Sequence, residues 1–429
     1  MAINYQHNKR KSKWYRLDTA ANLYPAIRGR KRPGVFRISA ALVESVQPDL
    51  LQQALDMTLE RIPGFSAMLR SGFFWHFFKH SIGHLPIQKG LSKICTHFSP
   101  NQNNGFLIRV MVQDYQIALE VFHSVSDGAG AMVFLKTLIA QYLILLGYSI
   151  PPTEGILDCN DSTDPSESED CFHIFAGNNN TRSLPKVRAY KLKGTLIQPY
   201  NLKTITGTIP IEPLRSETSK YGVSITEYIS AAYLFILNNI QLSEDPHRLS
   251  PIKIQVPVNL RNFHETKTLR NFSAFITPEI DPAKDEFTFE EVLNSVHHFI
   301  RREVTEKRLR EQVASNVRQV NNPLVRLIPL FIKNRIIHFV YKSIGPISFT
   351  STISNLGNVD IPTEMAAHVK SFGLTLGATQ DTNVSCGMLG YNGNLYISFS
   401  RVIDEEIVEQ KFFSFLRKRG IPIAVGGNT

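Results

Sequence analysis

Residues 34–42, GVFRISAAL, alternate apolar and polar positions with the period of a strand that buries one face. The period then lengthens. PDLLQQALDMTLERIP brings Leu50, Leu51, Ala54, Leu55 and Leu59 to one side of a helix. The aromatic-rich FSAMLRSGFFWHFFKH is interrupted by Gly72 and predicts a hairpin. FLIRVMVQDYQIALEVFH reads as two strands turning at Gln113 and Asp114, the second ending at His123. Beyond two glycines, AMVFLKTLIAQYLILLGY predicts an apolar helix closed by Gly147.

This pattern stops at residue 151. PPTEGILDCNDSTDPSESEDCF is acidic, holds no basic residue and shows no apolar period, so residues 151–190 are expected to form a flexible surface linker. TITGTIPIE then restarts the pattern as a strand, followed by the helix SITEYISAAYLFILNNI entered through Ser224 and the strand IKIQVPVNLR. FSAFITPEI predicts another strand. TFEEVLNSVHHFIRREVTEKRLREQVASNV and PLVRLIPLFIKNRIIHFVYKSIG predict helices. ISFTSTISNLG, VSCGMLGYN and NLYISFSRV are three more strands, the last two joined at Asn392-Gly393, and DEEIVEQKFFSFLRKRGI closes the chain as a helix with acids first and bases last. The class is therefore α/β, with one lobe over residues 1–150 and a second over 191–429.

Length agrees with two lobes, since 429 residues exceed one ordinary core. A hydrophobic share of 43% with 20% charged residues excludes a disordered chain and a multispanning membrane protein. The stretch from Leu324 to Ile344 fails as a span because Arg326, Lys333, Arg335 and Lys342 interrupt it and Pro329 breaks it. Packing within the second lobe is the expectation, and a basic amphipathic helix lying on a bilayer is the alternative. Cys95, Cys159, Cys171 and Cys386 have no paired or metal-ligand spacing. With no apolar run behind the basic N-terminus, the expected location is cytoplasmic, with peripheral membrane contact left open. The net charge of +10, concentrated early at Lys9, Arg10, Lys11, Lys13 and Arg16 and again at Arg28, Arg30, Lys31 and Arg32, suggests an anionic partner. No nucleic-acid reader motif accompanies it, so nucleic acid is not expected.

Chemistry concentrates in VFHSVSDGAG. A histidine at a strand end can take a proton from an alcohol or amine near neutral pH and return it. Asp127 follows four residues later, and Gly128 and Gly130 allow a close turn and the approach of a substrate. A strand-capping histidine with a helix-capping aspartate is the bland alternative from local sequence. His76, His80 and His84 are spaced as metal ligands would be on a helix, but Gly83 and the surrounding aromatics oppose a continuous helix, so no metal is expected.

HSVSDG, residues 123–128, resembles the His-x-x-x-Asp-Gly signature of the CoA-dependent acyltransferase superfamily. That superfamily includes chloramphenicol acetyltransferase and the condensation domains of peptide synthetases. PVNLRNF at 257–263, the following Asn271-Phe272, and TSTISNLGNVDIP at 350–362 are similar to its second-lobe motifs. The last of these, with WYRLDTAANLYP and RSGFFWHFF, points to the bacterial alcohol acetyltransferase-like branch. The resemblance implies two chloramphenicol acetyltransferase-like lobes, each a mixed β-sheet flanked by helices, with an active-site tunnel between them. It implies an acyl-CoA-dependent acyltransferase using acyl-CoA as co-substrate, with no bound cofactor and a small alcohol or amine as acceptor. By the same resemblance His123 is the general base, Asp127 a structural partner of Arg261, and Gly128 the residue that keeps the channel open. Ser354 and Asn355 line the tunnel, donate to the oxyanion, or simply shape a turn. An acyl carrier protein as donor, and a non-catalytic binding protein on the same fold, are the rival readings.

Overall fold

The computed structural model describes residues 14–81, 83–99, 103–177, 188–197, 202–322, 326–344 and 349–427. Lys9, Arg10, Lys11 and Lys13 of the first basic cluster lie outside the described residues, as do residues 178–187 of the expected linker. The first part of the chain runs β1 (Trp14–Arg16), α1 (Leu23–Ile27), β2 (Val35–Leu42), α2 (Pro48–Arg61), β3 (Ala67–Ser71), β4 (His76–His80), β5 (Gln88–Lys89), β6 (Ile108–Gln113), β7 (Gln116–Phe122) and α3 (Gly128–Leu145). A short α4 (Phe172–Phe175) leads to β8 (Lys203–Pro210), α5 (Ile211–Ser219), α6 (Ile225–Glu244), β9 (Ile252–Asn259), β10 (Ser273–Ile276), β11 (Glu279–Ile280), α7 (Phe289–Glu303), α8 (Glu306–Asn321) and α9 (Leu330–Ile344). The chain ends with β12 (Ser351–Asn358), α10 (Thr363–Ala366), β13 (Val369–Thr375), β14 (Val384–Tyr391), β15 (Asn394–Arg401), α11 (Ile407–Lys418) and β16 (Ala424–Gly427).

Two mixed sheets organise these elements. The first has the order β13–β2–β7–β6–β5, antiparallel except where β5 runs parallel to β6. The second has the order β10–β9–β12–β14–β15–β8–β16, with β12 parallel to both β9 and β14. Each has its own apolar core. In the first lobe α2 buries Leu51, Ala54, Leu55 and Leu59, the face its 3.6-residue period predicts, and packs beside α3. α3 is long and apolar enough to cross a membrane, but its place is inside this core, where most of its residues are buried. In the second lobe α6 opens with a reciprocal cap: Ser224 Oγ accepts from the Glu227 N–H, and the Glu227 carboxylate accepts from the Ser224 N–H. Asn392 and Gly393, at φ 45° and 70°, make the tight turn between β14 and β15 that their sequence predicts.

Three local expectations change. TITGTIPIE is a strand only to Pro210, after which Ile211 and Glu212 begin α5. β13 was not expected at all, and it carries the second half of the chain into the first lobe, pairing antiparallel with β2. The acidic tract is not a loose linker over residues 151–177. Glu167 is buried and paired through both oxygens with buried Arg61, at 2.7 Å each. Cys171, Phe172 and Phe175 enter a third apolar cluster with Phe272, Leu309 and Val313. Burying these side chains outweighs the solubility of the surrounding acids.

Candidate active site

His123 is the first residue beyond β7, held there by its backbone N–H donating to Gly34 O at 2.8 Å. Its ring stacks on Tyr24, with centroids 4.6 Å apart and planes 8° from parallel, and meets the edge of Phe36 at 5.1 Å. Nδ1 lies 3.1 Å from Asn271 Oδ1. The Asn271 amide has a fixed orientation, because its Nδ2 donates to Asp18 Oδ2 at 3.2 Å and to Ser124 O at 3.5 Å. Its oxygen therefore faces the imidazole, and only a protonated Nδ1 can donate to it. The neutral ring in this contact carries its lone pair on Nε2. Burial lowers the His123 pKa from its ordinary value, partly opposed by the charge of Asp127 and the hydrogen bond to Asn271.

Asp18 closes this chain of contacts from behind. It is fully buried, accepts from the Ala21 N–H at 2.7 Å and lies 3.5 Å from Arg270 Nε. Burial pushes its carboxyl up to about 6 against the pull of Arg270, and its Oδ2, accepting from Asn271 Nδ2, holds the amide with its oxygen toward His123.

Asp127 points away from the imidazole. Its Oδ1 accepts from the Gly130 N–H at 3.1 Å, capping α3, and its Oδ2 accepts from Arg261 Nη1 at 2.9 Å and the Phe272 N–H at 2.8 Å. Arg261 is completed by Thr268 O, Arg270 O and Asn259 Oδ1. Burial would raise the Asp127 carboxyl, but Arg261 and the two backbone donors outweigh it and hold the group below its ordinary range. The pair thus ties the loop after β7 to the segment that places Asn271.

Between the lobes lies a cavity of about 1020 Å³. Its wall includes His123, Asp127 and Gly128 from the first lobe and Ser354 and Asn355 from β12 of the second. A Cβ on Gly128 would come within 2.5 Å of the Leu356 side chain across the cleft. Gly130 is tighter, because a Cβ there would meet Leu269 O at 2.1 Å and Ser126 Oγ at 2.4 Å. Asn355 is already engaged: its Nδ2 donates to Thr226 Oγ1 at 3.0 Å and its Oδ1 accepts from the Gly357 N–H at 2.8 Å. All five of the candidates that line the cavity, and Arg261 behind them, thus gather around one space. Sequence reasoning gave no site role to Asn271, Asp18 or Tyr24: Asn271 entered only as part of the second-lobe resemblance, and Asp18 and Tyr24 only inside the stretch WYRLDTAANLYP quoted for it.

His76 and His80 belong to a strand, β4, and no group of three metal-ligating side chains occurs among the described residues.

No family model matches the chain, and no curated protein matches it in sequence. Solved structures do match over nearly the whole length. The TRI101 protein of F. graminearum, complexed with ethyl coenzyme A, superposes with a TM-score of 0.65 at 11% identity, covering 96% of this chain and 99% of its own. The polyketide synthase associated protein 5 of Mycobacterium tuberculosis gives 0.57 at 15% identity, covering 94% and 96%. The chain has the two-lobed CoA-dependent acyltransferase fold. An epimerization domain of tyrocidine synthetase B shares that fold too, with a TM-score of 0.56 at 11% identity over 95% of each chain. The CoA-dependent acyltransferase fold therefore carries more than one chemistry, and the reaction has to be argued from the site.

Proposed function

We propose that this protein transfers an acyl group from a CoA thioester to the hydroxyl or amine of an acceptor, with His123 as general base. The observation that carries the reading is the contact of Nδ1 with Asn271, which leaves Nε2 as the proton acceptor on a ring that lines the inter-lobe cavity. In the proposed reaction Nε2 takes the acceptor's proton as its oxygen or nitrogen attacks the thioester carbonyl. The tetrahedral intermediate collapses, the carbon–sulfur bond breaks, and the imidazolium returns the proton to the departing thiolate. No covalent enzyme intermediate is required. Ser354, on the cavity wall, is the oxyanion donor in this reading, whereas Asn355, with its amide spent on Thr226 and Gly357, shapes β12. The structures of related fold that contain coenzyme A, among them TRI101 of F. graminearum with coenzyme A and T-2 mycotoxin, support the donor class.

A carrier-protein thioester is the second reading, supported by the match to the nonribosomal peptide synthetase FmoA3, of which this chain spans less than half. Thiol release from a panel of acyl-CoAs with pooled alcohols and amines tests the first reading. His123→Ala should keep its fold and its affinity for the donor while transfer falls by about 10² to 10⁴. Turnover of the parent should rise with pH through a pKa below the ordinary histidine value of 6.5, because only neutral imidazole accepts a proton. Turnover that requires an acylated carrier selects the second reading. Near-parental transfer by folded His123→Ala would falsify the assignment.

A further inference from the structure

Three segments that are distant in sequence meet beside the cavity and contribute to its wall. α9 packs against α1, and the tip of the β3–β4 hairpin is fastened to α9: the Leu330 N–H donates to Phe73 O at 2.8 Å and Lys333 Nζ to Phe74 O at 2.9 Å. Lys333 also stands 3.4 Å above the Trp75 ring centroid. The inward side of this assembly lines the cavity, with Leu23, Trp75, Leu330 and Ile337 among its residues.

The outward side is apolar where a soluble surface would be polar. Phe73, Leu327, Phe331 and Phe339 are 66 to 71% exposed, and Phe74 is exposed beside them. Phe331 and Phe339 lie eight residues apart on α9, so they share a face, and Phe73 O accepts from the residue before Phe331. A contiguous apolar patch of this kind on a soluble fold marks a docking surface. Its charge specifies the partner. Residues 23–33, 69–80 and 326–344 together contain ten Lys or Arg and no Asp or Glu. Arg30, Lys31, Arg70 and Arg335 are exposed among them. Asp381 is spent on Arg32, and exposed aromatics beside exposed Arg30, Lys31, Arg70 and Arg335 fit the interface of an anionic membrane, where rings enter the headgroup boundary and cations meet lipid phosphates. Two copies of such a surface would repel each other.

We propose that the α1, β3–β4 and α9 rim docks onto an anionic phospholipid bilayer and sets one mouth of the cavity against the lipid. Docking is measured without turnover, so its failure is separate from failure of the acyl-transfer reading.

The test is co-sedimentation of the full chain with vesicles of phosphatidylcholine alone or of equal parts phosphatidylcholine and phosphatidylglycerol. The parent should bind the anionic vesicles and lose binding as salt rises. Phe331→Ser/Phe339→Ser should weaken binding at least tenfold with an unchanged melting temperature, because neither side chain lines the cavity and both are exposed. Arg30→Gln, Lys31→Gln and Arg335→Gln should each weaken it about fivefold. Equal binding to both vesicle types, no binding to either, or parental binding by the double Ser variant overturns the proposal. So does a parent that forms a dimer which the double Ser variant dissolves, or one whose patch is required by an acidic carrier protein and not by vesicles.

Discussion

Asp127→Ala separates a structural from a chemical role for the aspartate of HSVSDG. The carboxylate is buried and accepts three hydrogen bonds, from Arg261, Phe272 and Gly130. Removing it strands the Phe272 N–H and takes the cap from α3. Arg261 keeps the carbonyls of Thr268 and Arg270, so it is left with hydrogen bonds but no counter-charge. Breaking a buried pair costs about 3 to 5 kcal/mol, and those retained acceptors favour the lower end. The cap alone is about 1 kcal/mol of that. Urea unfolding should therefore show a loss of about 3 kcal/mol, with Asp127→Asn falling between the variant and the parent because the amide keeps the shape and one acceptor. The sign with pH follows from the lowered pKa: the contribution is present above the unfolded value of 3.8 and is lost as pH falls through the lower folded value. The pair also fixes Phe272, next to Asn271, so turnover should fall with stability. An Asp127→Ala protein of parental stability that has lost turnover would refute this reasoning and give Asp127 a direct chemical part.

Asn271→Ala should lower turnover about 10²-fold with little change in donor affinity, because it frees the imidazole from one tautomer and orientation; a purely structural role would instead move the melting temperature alone. Gly130→Ala should cost at least about 1 to 3 kcal/mol, since its methyl meets the Leu269 carbonyl, while Gly128→Ala should fold and narrow the cleft, the Leu356 side chain being able to rotate away. Glu167→Ala should destabilise the protein by about 3 to 5 kcal/mol by leaving Arg61 buried and unpaired, and deletion of residues 162–169 should reduce soluble yield.

What the sequence reveals divides by range. Periodicity is local, so α2, the β3–β4 hairpin and the β14–β15 turn were legible from their own residues. The motif around His123 was legible for the same reason, and the resemblance supplied Arg261. Asp18 was not: nothing near it in WYRLDTAANLYP shows that Asn271 and Arg270 surround it. The acidic tract misled because Glu167 finds its partner more than a hundred residues upstream, at Arg61, where composition cannot see it. β13 was hidden for a further reason. VKSFGLT is short, carries Gly373 in its middle, and becomes a strand by pairing with β2 far earlier in the chain.

That strand has a consequence for how the protein is made. As the chain leaves the ribosome, the first lobe emerges with β2 as an open edge, and the strand that covers it arrives only when residues 369–375 have been synthesised. Until then a row of unpaired backbone groups beside an apolar core is exposed to other chains. Maturation of the first lobe must wait for the second. A chain stopped after residue 150 should accumulate as an aggregating fragment, and supplying residues 151–429 separately should rescue it by strand addition and by returning Glu167 to Arg61.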